Sequence, residues 1–181
     1  VGALTLGSAM PHLLSLAGGS DWRLTIALAS VAAIAGGLLC LAVSLGPYHA
    51  KAARFDPSVI SEAWTNRRVR LAYAGYLGHM WELYAMWAWI GVASAVSYRM
   101  TMTDADADWL AKITAFSAVG AGAIVCAIAG YAADRLGKAE VAILAMIVSG
   151  LSALTCSLTF GGPPWLTFVF VLIWGISIVP D

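Results

Sequence analysis

Two titratable residues, His79 and Glu82, interrupt an otherwise apolar run from Leu71 to about Tyr98. Their spacing of three puts them one turn apart on one face of a helix, and Met86 and Trp89 continue that face. A carboxyl group inside a membrane is costly to keep ionised, so taking up and releasing a proton is chemistry that suits Glu82, the leading functional residue. An imidazole one turn away can share that proton. The same two groups also suit a structural role, a satisfied polar pair that fixes helix packing, and the residues leave both readings open. Trp81, Tyr84 and Trp87 fit packing or the lipid interface, while Met86 and Trp89 suit packing and the lining of a path equally.

Such residues need an element that holds them in lipid, and the composition supplies one. Of the 181 residues, 61% are hydrophobic and 11% charged, against roughly 45–50% and about 25% in soluble domains. Ten basic and ten acidic residues, confined to a few short stretches, cannot coat a soluble core. The apolar surface must face lipid, so membrane lipid is an expected partner. Net charge zero carries no information about partners, because the division of basic residues between the two sides is what counts. Cys40, Cys126 and Cys156 sit singly in apolar runs and read as small buried fillers. No metal spacing, phosphate loop, nucleophile arrangement or nucleic-acid patch occurs, so the chain does not read as an enzyme and no cofactor is expected.

Six apolar runs predict an all-α, polytopic membrane bundle with six transmembrane segments. The first, from Val1 to about Ala17, carries Gly2, Gly7, Ser8 and Ala9 for close packing, with Pro11 in its outer third; His12, near the helix end, fits the interface and is left out of the site. A turn through Gly18 to Arg23 leads to the second run, Leu24 to Gly46. The connection from Pro47 to Arg70 is the longest polar one, and Asp56-Pro57 before Val59, Ile60, Ala63 and Trp64 predicts a short amphipathic helix capped by Asp56. After the third run, Arg99 to Lys112 reads as an acidic loop. The fourth run, Ile113 to Ala133, has Gly120, Gly122 and Gly130 for close approach. A tight turn over Gly130 to Lys138 leads to the fifth, Val141 to about Phe160, and Gly161-Gly162-Pro163-Pro164 turns into the sixth.

Basic residues orient the runs. Lys51, Arg54, Arg67, Arg68, Arg70, Arg135 and Lys138 fall on one side, and Arg23, Arg99 and Lys112 on the other. The richer side is the expected cytoplasmic one, placing loops 47–70 and 134–140 there.

Gly130-x-x-x-Asp134-Arg135-x-Gly137-Lys138, between two membrane helices, resembles the short cytoplasmic signature of the major facilitator superfamily of secondary transporters. That family has two six-helix halves joined by a long cytoplasmic loop, with the signature between the second and third helices of each half. Placing the signature in the second half makes Pro47–Arg70 the central loop; a first-half placement would leave two extra helices in front. The resemblance therefore implies a partial fold of six of twelve helices, roughly helices 5 to 10. Residues 1–46 would be the last two helices of the first half, 47–70 the central loop, and 71–181 the first four helices of the second half. Val at position 1 and an apolar run that stops at Pro180-Asp181 agree with a chain cut at both ends, so the remainder of the transporter is a further expected partner.

The resemblance also implies roles. Gly130 and Gly137 would permit close backbone approach, and Asp134, Arg135 and Lys138 would complete a gating motif whose charges pair with neighbouring helix ends. Ala139-Glu140 stand where a second basic residue is often found. The third-run helix would border the central cavity, and so would Trp174 and Ser177 on the sixth. The expected function is a permease of a bacterial cytoplasmic membrane moving a small solute by alternating access, with proton coupling through Glu82 and His79 left open. The alternative is a non-transporting membrane sensor or assembly subunit that binds a partner through the 47–70 loop.

Overall fold

A run of apolar side chains can lie in lipid only if its backbone satisfies its own hydrogen bonds, and the helix does this within one segment. The computed structural model describes residues 2–18, 21–44 and 56–180, and every regular element among them is helical. In order these are α1 (Gly2–Gly18), α2 (Trp22–Cys40), α3 (Ser58–Thr65), α4 (Arg67–Arg99), α5 (Asp104–Leu136), α6 (Lys138–Thr159) and α7 (Pro164–Ile178). Three of them, α2, α5 and α6, are long and apolar enough to cross a membrane. Helices α1 and α7, with 17 and 15 residues, are apolar but shorter. Helix α4 has 33 residues, and its Gly, Tyr and Trp residues with His79 and Glu82 dilute its hydropathy.

Several boundaries differ from the sequence expectation. Asp21 caps α2 by accepting from the Arg23 backbone N–H at 3.0 Å, so Trp22 and Arg23 belong to the helix rather than to a turn. Helix α2 ends at Cys40, before the apolar run does, and Cys40 is exposed rather than buried. Pro57, not Asp56, occupies the cap position of α3. The acidic stretch is no loop: Thr103 caps α5 through Asp106 N–H, and Asp104 and Asp106 fill the first turn, where the positive helix end favours carboxylates. The expected turn over Gly130 to Lys138 contracts to Gly137 alone, at φ 112°, with Asp134 and Arg135 still in α5 and Lys138 already in α6. Of the basic residues expected on the 47–70 loop, Lys51 and Arg54 lie outside the described residues.

Helix α5 is the hub, packed against α1, α4, α6 and α7. Its buried positions Ala107, Ala111, Ala115, Ala118 and Gly122 follow steps of three and four, a stripe of small residues on one face. Lipid is as apolar as a leucine side chain, so helices within it associate by close packing and hydrogen bonds rather than by excluding water. Close packing is extreme at Gly175 of α7, where an added Cβ would stand 2.7 Å from the carbonyl carbon of Ala118. Gly122 faces Val179 in the same way, with a Cβ position 2.6 Å from a Val179 methyl. Gly130 and Gly7, expected to allow close approach, have nothing within 4 Å of that position.

Hydrogen bonds lock one end of the bundle. Thr167 donates its hydroxyl to the Thr159 carbonyl at 3.0 Å, so Ser97 must donate to Thr167 across 3.1 Å while accepting from Gly161 N–H at 2.8 Å. The same logic makes Tyr98 the donor to Thr114 at 2.8 Å, because Thr114 donates to the Leu110 carbonyl at 2.7 Å. Adjacent residues on α4 thus bind α7 on one side and α5 on the other. Lys112 adds a tie from α5 to the Ser15 carbonyl of α1 at 3.1 Å.

Candidate functional site

Above the core formed by Leu83, Met86 and Ile90 with Ala115, Ala118 and Val171, helices α4, α6 and α7 diverge around a cavity of about 410 Å³. Glu82, Met86, Trp89 and Ala93 line it from α4, at the steps of four, three and four that keep a helix on one face. Trp81, Ala85 and Ile90 complete that wall. Helix α6 contributes Ala153 and Cys156, Phe160 just past its end adds a ring, and α7 contributes Trp174.

Glu82 is half-buried, and its Oε1 accepts a long hydrogen bond of 3.5 Å from the indole Nε1 of Trp174. Trp174 leans on Phe170, ring centroids 6.4 Å apart and planes at 60°. Met86, 4% exposed, forms the floor shared with the core, whereas Trp89, 67% exposed, forms an outer rim. Ser177 is buried and donates to the Trp174 carbonyl at 2.9 Å, so it braces the helix beneath that indole without lining the cavity. His79, also half-buried, stands a turn before Glu82 and does not line it either. Glu82, Met86, Trp89 and Trp174 are therefore brought together, and His79 and Ser177 are not.

The residues missed from sequence are Trp81, Cys156 and Phe160. Trp81 adjoins Glu82 in the chain, the one signal available for it, while its type fits packing or the lipid interface. Nothing in the mostly apolar run over α6 and its C-cap distinguishes Cys156 and Phe160 from their neighbours. Trp81, Ala85 and Trp89 also border a second, more open groove of about 490 Å³ with Leu77, Met80 and Tyr84. The α4 tryptophans form a ridge between the two spaces.

The Gly130–Lys138 stretch lies at the α5–α6 junction. Arg135 folds back on its own helix, its guanidinium 4.3 Å from the Tyr131 ring centroid, rather than reaching a neighbouring helix end. No hydrogen bond or ion pair joins Asp134 to another described residue. Glu140 packs over Gly137, and Lys138 is exposed.

No protein-family model, curated protein or solved structure matches this chain. The functional reading rests on the residues and their geometry. Among the described residues no three His, Cys, Asp or Glu side chains gather as metal ligands. What the cavity offers is an almost wholly apolar wall of aromatic and aliphatic side chains, with Glu82 among the residues that line it.

Proposed function

We propose that this chain is part of a secondary transporter of the major facilitator type, moving a small solute across a bacterial cytoplasmic membrane by alternating access. The observation that carries the reading is Glu82, half-buried on α4 among the residues that line a cavity between three helices, and hydrogen-bonded by Trp174. Six spans, α1, α2 and α4 to α7, cross the bilayer on this reading, and the short α3 lies on the cytoplasmic face beside the basic start of α4. The contact between α1 and α5 is then a contact between transporter halves. On this reading Gly130, Asp134, Arg135, Gly137 and Lys138 form the cytoplasmic gating motif, and Asp134 has no bonded partner among the described residues.

The test uses the full-length protein in proteoliposomes, with uptake of a panel of labelled solutes under an imposed pH gradient. Glu82→Gln is expected to abolish uphill accumulation while sparing exchange. Unchanged accumulation in that variant removes the proton role of Glu82. Failure to move any solute of any charge class favours the non-transporting alternative.

A further inference from the structure

The space between α4, α6 and α7 is a groove with a direction. On α4 its lining runs from Trp81 to Ala93, twelve residues and so about 18 Å of helix. It begins beside Glu82, at the middle of α4, and ends at Ala93 and Phe160, a turn from where Ser97 accepts from Gly161 N–H. On α6, a helix long and apolar enough to cross a membrane, the lining residues Ala153 and Cys156 lie in the last third. With α4 and α6 crossing the bilayer, the groove lies within one leaflet. It opens sideways: α4 and α6 both pack on α7, Met86 and Ile90 form a buried floor, and Trp81 and Trp89 stand as exposed rims.

The wall turns polar solutes away. Its surface is almost wholly apolar, Cys156 Sγ is bonded to the Ala153 carbonyl at 3.2 Å, and Trp174 Nε1 donates to Glu82 at 3.5 Å. A charged or hydroxylated body would lose its hydration there and gain few partners in return. Shape then decides among apolar bodies. Spread over that length, 410 Å³ gives a mean cross-section of about 23 Å². This is the girth of one extended hydrocarbon chain, and far too slender for a helix, which is about 10 Å across. The length agrees as well, since one leaflet is half of a hydrocarbon core about 30 Å thick.

We infer that this groove holds one straight acyl chain of a membrane phospholipid, its free end near the Glu82–Trp174 pair and its carbonyl end toward Phe160. The chain supplies the dispersion contacts that the lining of an unfilled groove lacks. Its seat does not depend on the transport reading.

The test places the full-length protein in vesicles of a phospholipid with methyl-branched chains, too broad for the groove. A small fraction of the lipid is phosphatidylcholine with a diazirine near the end of a straight, palmitoyl-length chain. After illumination, mass spectrometry locates the adducts. Unlabelled straight-chain lipid is expected to suppress adducts at Cys156 and Trp174 at least about fivefold more than those at Leu154 and Leu158, which are exposed on α6 and meet bulk lipid. Ala153→Phe, which puts a ring into the groove without adding a polar group, removes the Cys156 and Trp174 adducts and spares those at the two leucines. Adducts confined to Leu154 and Leu158 mean that the rest of the transporter or a second copy covers the groove, and overturn the assignment. Lining adducts that fall only by dilution, or that persist in Ala153→Phe, overturn it too. If that variant fails to fold, the competition on the unaltered protein decides. Solute uptake without lining adducts would keep the transport reading and overturn this one. Lining adducts with no movement of any solute would do the reverse.

Discussion

Gly175 of α7 lies against the backbone of Ala118 in α5, so close that a methyl group on Gly175 would stand 2.8 Å from the Ala118 Cα and 2.7 Å from its carbonyl carbon. Backbone cannot step aside as a side chain can. Gly175→Ala must therefore push α7 away from the hub helix and open the floor beneath Trp174. The expected loss of stability is about 3 kcal/mol, read as a lower thermal midpoint in detergent. Gly130→Ala, where the same methyl meets nothing within 4 Å, serves as the control and should leave the midpoint unchanged or raise it through better helix propensity.

The Ser97 and Tyr98 hydroxyls offer an unequal pair of deletions. Ser97→Ala leaves both Gly161 N–H and the Thr167 hydroxyl oxygen without their buried partner, whereas Tyr98→Phe deprives only Thr114 of a donor. The first should cost about 2 kcal/mol and the second about 1 kcal/mol. Thermal unfolding of the two variants side by side checks the order.

At Gly137 the backbone takes φ 112°, a region that side chains with a Cβ avoid, and the Glu140 carboxylate fills the space a Cβ would need. Gly137→Ala is expected to cost about 1–3 kcal/mol, because φ 112° with ψ 140° is a positive-φ extended conformation populated almost only by Gly. The Gly137→Ala, Glu140→Ala double variant separates the two causes: crowding by Glu140 is relieved in it, and the backbone penalty remains.

Asp134 has no bonded partner among the described residues, so Asp134→Asn should leave the thermal midpoint of this state unchanged. If the residue latches a different state of a transporter, the same change alters the exchange rate in proteoliposomes. A shifted midpoint with an unaltered exchange rate would make it structural instead.

The pair between Arg99 and Asp108, at 2.6 Å, is half-exposed on both sides. Asp108→Asn should cost no more than about 0.5 kcal/mol, and that difference should vanish in high salt. Denaturation at two salt concentrations reads it directly.

Most helices were legible in the residues because an apolar run in an apolar setting has one way to satisfy its backbone, and length and hydropathy alone identify α2, α5 and α6. Glu82 was legible for a related reason: a single carboxylate among apolar and aromatic neighbours stands out whatever surrounds it. The start of α5 was not, because Asp104 and Asp106 carry no helical periodicity and become favourable only beside the N–H groups of a helix that continues into the apolar run. Side-chain size alone makes Gly120, Gly122 and Gly130 equivalent, and they are not. Gly122 is crowded by Val179, Gly120 touches Ala9 at 3.4 Å, and Gly130 looks into open space. Rotation of α5 against its neighbours, settled by contacts between residues far apart in the chain, decided which of them is indispensable. The same rotations left His79 off the cavity that receives Glu82, and brought Phe160 and Trp174 to it from helices 70 and more residues away. A sequence by itself determines which segments must be helical and which residues are costly to bury, since both follow from the local covalent chain. Which face meets which neighbour is a property of shape complementarity between whole helices, and only the tertiary structure contains it.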